Sequence, residues 1–384
     1  MWYLQVDTLA VILGFALLYG VLAAVAGRLW PRRRLTPFLL VFDLGLLLYV
    51  SGALAAFYVA YTLLTYALLR LLRRARGTGL RRGLFVAFCL LCASPFLYAR
   101  FALLLPALPA VLTLVGFAYN MLKAIDAVFY VYYADKDIPL TAYANFLLFF
   151  PVFTSGPILR YRDFERYYFA PRPVTAPIAT QAVKRFIRGM FQKMVLVSLL
   201  GQVLERLLEA RLCLPVSLAL IAVCYFSLFF DLAGYSDIAI SVAALTGFVV
   251  PENFKNPLSA ASFTQFWRKW HVTLSDWIRE HIFVVVNGKR LNRWAGAAIG
   301  MGTMVVMSLW HEFSVGSILN GVYMGSFLAV ENLFGLSTVD KRRTPRGIFW
   351  LRCFLVSFFF GINALSFYMD AGQLFAVLKG LVRL

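Results

Sequence analysis

Charge is scarce in this 384-residue sequence: charged residues make up 14% of it, acids number 18, and there are only three histidines and five cysteines. With 61% of the residues hydrophobic, so little polar material cannot cover a water-soluble globule, and the soluble enzyme classes are excluded. Cys89, Cys92, Cys213, Cys224 and Cys353 lie almost entirely in apolar runs, and the Cys89–Cys92 pair has no His or Asp beside it. Core packing is their expected role, and no metal site is expected. No internal repeat, low-complexity tract or soluble domain of useful length interrupts the chain, which reads as one membrane domain over residues 1–384. The first apolar stretch has neither a basic lead nor a small-residue cleavage site, so a retained anchor is expected rather than a removed signal peptide.

What the sequence does have is apolar length. Stretches at Val6–Gly27, Pro37–Leu69, Gly83–Leu105, Ala110–Tyr133, Met190–Leu208, Pro215–Val250, Ala295–Trp310, Val315–Phe334 and Ile348–Met369 mostly suffice to cross a hydrocarbon core of about 30 Å. Val50-Ser51-Gly52 should split Pro37–Leu69 into two short helices, and Pro215–Val250 is long enough to be two spans. Ala142–Pro157, short and ending in Gly156-Pro157, suits a segment that enters and returns on one side. Arg160–Arg188 and Pro257–Arg279 are amphipathic, aromatic and basic, and are expected along the interface rather than across the bilayer.

Lys and Arg outnumber acids by enough to give a net charge of +19, but they fall in short loops: Arg28–Arg34, Arg70–Arg82, Arg160–Lys193, Lys255–Arg293 and Lys341–Arg346. The positive-inside rule places these loops in the cytoplasm and Met1 outside, and it accounts for the excess without nucleic acid. A positive inner surface suits anionic lipid headgroups or an acidic protein partner. Residues 1–134 are Leu-, Ala- and Arg-rich spans, 140–330 gathers the Trp, His, Asp, Asn and Ser, and 331–384 supplies a closing span and tail. Function is expected in the middle part.

His311 and Glu312 sit at the join between two apolar runs, where an ionisable residue marks a functional site. Its imidazole is the side chain best matched to neutral-pH proton transfer. A histidine hydrogen-bonded between helices fits the same pattern. His271 follows Trp270 on the amphipathic segment and by position reads as a snorkelling interfacial residue; His281, beside Glu280, reads as solvated surface. Asp231 and Asp237 lie in an apolar stretch in which Gly234 would permit a helix break, opening Tyr235, Ser236 and Asp237 to a polar tunnel. Interfacial acids at a loop are the alternative.

Five ordered blocks carry a resemblance: Phe149-Phe-Pro-Val-Phe-Thr-Ser-Gly-Pro-Ile158 with Arg160-Tyr-Arg-Asp-Phe164; Gly234-Tyr-Ser-Asp-Ile-Ala-Ile240; Gly247-Phe248 with Pro251-Glu-Asn-Phe254 and Asn256-Pro257; Phe266-Trp-Arg-Lys-Trp-His-Val-Thr-Leu-Ser275 with Trp277-Ile-Arg-Glu280; and Leu309-Trp-His311. In order and spacing they resemble the bacterial membrane-bound O-acyltransferases across roughly residues 110–330. The resemblance implies an all-α polytopic membrane protein, with a ring of about ten or eleven transmembrane helices around a central tunnel, plus interfacial and re-entrant helices. It implies His311 as the catalytic histidine and His271 as a second site histidine, with Tyr235, Ser236, Asp237, Asn253, Trp310 and Asn320 along the substrate tunnel. Where this chain has Glu312 the family has Gly, which leaves the acceptor open.

Within the family the chain resembles most the branch that transfers D-alanine to teichoic acids, and shares features with the acetyl-transfer branch acting on alginate, peptidoglycan or cellulose. No permanently bound cofactor is implied. The donor would be D-alanine on the phosphopantetheine thioester of a small acidic carrier protein, or an acetyl donor in the alternative. The acceptor would be an envelope polymer or lipid, reached directly or through a second envelope protein, in the bacterial cytoplasmic membrane. Phe283, Val284, Val285 and Val286 followed by Lys289 and Arg290 form an apolar patch with a basic rim, expected either to dock the carrier or to rest in the headgroup layer. A transporter or flippase would also show buried acids and broken helices, but the paired interruptions expected of one are not seen.

Overall fold

A computed structural model of the chain describes residues 6–29, 35–104, 116–283 and 292–383. Helices account for nearly all of its regular structure, and no strand occurs among the described residues. In chain order the helices are α1 (Val6–Leu29), α2 (Leu39–Val50), α3 (Gly52–Arg74), α4 (Thr78–Leu104), α5 (Phe117–Ala134), α6 (Leu140–Leu148), α7 (Tyr161–Phe169), α8 (Ala176–Met190), α9 (Val197–Glu209), α10 (Leu214–Leu245), α11 (Phe263–Trp267), α12 (Val272–Ile278), α13 (Arg293–His311), α14 (Val315–Phe334), α15 (Arg346–Leu365) and α16 (Ala371–Gly380). Five helical stretches among the described residues are long and apolar enough to cross a membrane: Gly52–Arg74, Thr78–Phe101, Ala176–Glu209, Leu214–Leu245 and Arg346–Leu365. The protein is therefore an all-helical, multi-pass membrane protein.

The chain divides into two compact units, one of residues 1–186 and 238–251, the other of 187–237 and 252–384. In the first, α2 and α3 are separated where the sequence places the break: Ser51 is extended (φ −170°, ψ 127°) and its hydroxyl caps the Leu54 N–H. The core of this unit is aromatic, with Tyr58, Tyr143, Phe146, Phe149, Tyr161, Phe164 and Phe248 almost wholly buried. After α6, residues 149–160 form irregular backbone that is buried except around Thr154-Ser155. Most of it is enclosed by protein, the condition under which non-helical backbone is tolerated away from water.

Two expectations are corrected. The amphipathic stretch ending at Arg188 does not stop there: α8 runs through a π-helical turn at Phe191–Leu196 into α9, giving one 34-residue helix from Ala176 to Glu209. Pro177 sits in its first turn, where proline starts helices, and no further proline follows within it. Nor does Gly234 break α10, which is continuous over 32 residues, about 48 Å at 1.5 Å per residue. Gly234 serves helix packing instead: a Cβ there would meet the Gly189 carbonyl oxygen at 2.8 Å and Lys193 at 3.1 Å. Its missing side chain lets the two helices approach.

That approach also explains the acids. Asp237 accepts a bidentate pair from Arg188 Nε and Nη2 at 2.7 and 2.9 Å, and Asp231 is paired with the buried Lys193 ammonium. Charges that α10 carries into an apolar stretch are thus matched by cations of the α8–α9 helix. In the second unit α13 and α14 form an antiparallel hairpin whose contact is set by Gly321 and Gly325. A Cβ on these residues would lie 2.5 Å from Val305 Cα and 2.8 Å from Met301 Cα, so the backbones touch as in small-xxx-small pairs.

Candidate active site

His311 is the last residue of α13, whose start is fixed by the Asn292 side chain accepting from the Ala295 N–H at 2.7 Å. Glu312 follows in extended conformation (φ −148°, ψ 137°), and Ser314, its hydroxyl accepting from the Ser317 N–H, opens α14. The helix end therefore delivers an exposed imidazole, edged by the Trp310 ring at 4.7 Å and the Phe367 ring at 6.1 Å.

His271 reaches the same place from a different element and is 3% exposed. It caps α12 with a left-handed backbone (φ 43°, ψ 51°), a conformation that costs a non-glycine residue about 1–3 kcal/mol. The strained turn is held from Asn253, whose carbonyl accepts the Val272 N–H at 2.9 Å. The Asn253 Oδ1 also accepts the Thr273 hydroxyl at 2.9 Å, and its Nδ2 donates to Ser236 Oγ at 3.2 Å. Before the turn, Trp270 is wedged against Phe360, Phe254 and Phe266 at 4.6, 5.1 and 5.5 Å.

A buried carboxylate on α14 anchors the start of the segment. Glu331 accepts the Phe263 and Thr264 N–H groups at 2.6 and 2.8 Å and the Thr264 hydroxyl at 2.8 Å, capping α11.

Both histidines line one cavity of about 240 Å³, with Trp267, Trp270, Ser308, Asn320 and Asn363 among Leu, Met and Phe side chains. Among the described residues no acid lines it, and the histidines are its only titratable groups. Three of the buried polar atoms on its lining residues, His271 Nδ1, Asn363 Oδ1 and Trp267 Nε1, have no hydrogen-bond partner among the described residues. Such atoms normally cost about 1–3 kcal/mol each, and all three sit on residues of the cavity wall.

Burial, with the charge of His311 as the second cause, pushes the His271 imidazole down to about 3. An unfolded histidine titrates near 6.5, so between the two values the unfolded chain holds the extra proton. Stability therefore rises with pH across that window and is lost as pH falls below the unfolded value. Lowering the pH from about 7.5 to about 5 is expected to cost roughly 2 kcal/mol through this one residue. Unfolding midpoints of the wild type and His271→Asn at the two pH values check this: the variant's midpoint should move less.

Of the residues expected along a tunnel, only Asn320 lines this cavity with the histidines; its Nδ2 donates to Ser366 Oγ at 3.2 Å. Trp310 packs against His311 from outside the lining. Ser236 and Asn253 support the His271 turn, Tyr235 is buried on α10, and Asp237 belongs to Arg188. Glu312 is exposed and does not line the cavity. His281 is not the solvated surface residue expected: the π-helical turn Arg279–Phe283 carries it inward, where it is 8% exposed, stacks on Trp277 at 4.3 Å and places Nδ1 2.9 Å from the Trp277 carbonyl. Phe283 ends that turn, and Val284, Val285, Val286, Lys289 and Arg290 lie outside the described residues. The five cysteines are free thiols, Cys92, Cys224 and Cys353 buried and Cys89 and Cys213 half-buried. Sequence reasoning missed Trp267, Ser308 and Asn363. A polar amide inside the apolar run Ile348–Met369 is the same signal that singles out His311, and it would have reached Asn363.

Residues 131–370 match the model of the membrane-bound O-acyltransferase family. The chain is 31% identical over 249 residues to "Probable alginate O-acetylase AlgI" of Pseudomonas fluorescens, a match covering 64% of this chain and 50% of that one. It is 29% identical over 329 residues to the teichoic acid D-alanyltransferase of Streptococcus thermophilus, covering 79% of each. To the peptidoglycan O-acetyltransferase of Helicobacter pylori it is 27% identical over 255 residues, 63% of this chain and 46% of that one. The chain spans about half the length of the alginate relatives it matches.

Proposed function

Because the chain belongs to the membrane-bound O-acyltransferase family, we propose that it moves an acyl group from a thioester to a hydroxyl, with His311 as the base. The observation that carries this is the cavity itself, which brings together an exposed imidazole and a buried one kept neutral near neutral pH, with no carboxylate among the described residues of its lining. A ring nitrogen of His311 takes the acceptor's hydroxyl proton as that oxygen attacks the thioester carbonyl. The new C–O bond forms, the C–S bond breaks, and the imidazolium returns its proton to the leaving thiolate. His271, neutral and held on its strained turn, is suited to hydrogen-bond a reactant rather than to exchange protons with it. No nucleophilic serine or cysteine is required.

The acyl group in this reading is D-alanine, brought on the phosphopantetheine arm of a small acidic carrier protein at the cytoplasmic side and passed to an envelope polymer or lipid. The match to the streptococcal D-alanyltransferase extends over most of both chains and supports it. Acetyl transfer to a polysaccharide is the second reading, favoured by the identity to the alginate relatives. The membrane in either case is the bacterial cytoplasmic membrane, with the N-terminus outside by the charge of the loops. Mass spectrometry of envelope polymers and lipids from cells with and without the protein tests this directly. Loss of a D-alanyl ester is expected; loss of an acetyl ester instead selects the second reading, and an unchanged ester inventory removes both.

A further inference from the structure

Arg268 and Lys269 lie within the turn that carries His271, but they do not face its cavity. With Lys255 and Lys341 they line a separate basin of about 520 Å³ whose other walls include Asn256, Ser259 and Phe349. Among the described residues no carboxylate lines the basin, and none is within ion-pair distance of these four cations. The contrast within the same unit is plain. Arg188 has Asp237, Lys193 has Asp231, Arg279 has Asp276 and Arg343 has Asp340. Even Asp340, next to Lys341 in the chain, turns to Arg343 and to the Arg342 N–H instead.

Two of the cations, Lys269 and Lys341, are also held in place. Lys269 Nζ donates to the Ser259 carbonyl and hydroxyl at 3.0 and 2.7 Å, which leaves one of its three N–H donors free. Lys341 lies over the Trp350 and Phe349 rings at 5.5 and 5.9 Å, and Lys255 is tied to the turn by its N–H to the Lys269 carbonyl at 2.9 Å. Burial and the neighbouring charge of Lys341 lower the Lys269 ammonium from its ordinary value. Four like charges gathered in this way repel one another unless an anion joins them.

We propose that this basin is a phosphate-binding site, taking the phosphate mono- or diester of an extended ligand. Two sources present that chemistry here, the phosphate of a pantetheine-bearing thioester donor and a phospholipid headgroup. The first deepens the acyl-transfer reading and rests on it, since Trp267, Trp270 and His271 of the same turn line the histidine cavity. Phosphate binding itself does not depend on that reading.

Isothermal titration calorimetry on the full-length protein in detergent micelles tests the site with phosphopantetheine, coenzyme A and short-chain phosphatidylglycerol, and with pantetheine as the phosphate-free control. A phosphate-bearing probe should bind at least about 10-fold more tightly than pantetheine, and the double variant Lys255→Ala, Lys341→Ala should lose about 10-fold or more of that affinity. Both lysines are exposed, so the unfolding midpoint of the variant should stay at the wild-type value. Preference for phosphopantetheine or coenzyme A identifies the donor as the source; preference for phosphatidylglycerol identifies the headgroup. Equal binding of pantetheine, unchanged affinity in the double variant, or no binding by any phosphate-bearing probe overturns the proposal. His311→Ala separates this from the acyl-transfer reading: it should bind the phosphate probes as the wild type does while losing transfer.

Discussion

His311→Ala is expected to lower acyl transfer by about 10²–10⁴-fold, the range general base catalysis supplies, while the protein inserts and unfolds as the wild type does. Little packing is lost, because the residue is exposed at the end of α13, beside the Trp310 and Phe367 rings. His311→Gln keeps the shape and one hydrogen-bonding end without a base near neutrality, so it should fall almost as far. The measurement is transfer of labelled acyl group in membranes, with the amount of folded protein determined in the same samples. Unchanged turnover in either variant would remove the imidazole from the mechanism.

The second large effect is expected at a residue that touches no reactant. Glu331→Ala should destabilise the protein by roughly 3–5 kcal/mol, since one buried and one half-buried backbone N–H group and one hydroxyl lose a charged acceptor together. What it disconnects is the start of α11, the anchor of the segment bearing Trp267, Trp270 and His271. Transfer should therefore be lost even in the fraction that remains folded. Glu331→Gln retains one acceptor oxygen and should recover part of both losses, which a purely electrostatic role would not allow. Thermal unfolding in detergent read beside transfer distinguishes the two.

The sequence made the membrane class legible, since no arrangement of so few polar groups can face water, and it made the break at Ser51 legible through local capping chemistry. It pointed to His311 because an ionisable residue between two apolar runs is visible without any contact map. It misread Gly234, Asp231 and Asp237 for a single reason. A glycine and two acids inside an apolar stretch look the same whether they open a cavity or meet another helix, and the partners that decide the matter, Gly189, Arg188 and Lys193, are more than thirty residues away. His281 was misread because a π-helical turn rotates its side chain inward, away from the face an α-helix would give it.

By itself, then, the sequence determined what is set by composition and short-range geometry: a multi-pass helical protein, where some of its helices end, and an imidazole at a helix end among apolar residues. Tertiary structure alone decided which polar groups share a space. Asn363 from α15, Asn320 from α14 and His271 from a strained turn converge on His311, while Asn253 and Ser236 are drawn off to hold that turn. The reason is that convergence depends on where backbones can approach, and here that is fixed by missing side chains at Gly321 and Gly325 and by one buried carboxylate, Glu331, reaching across to another helix's first turn.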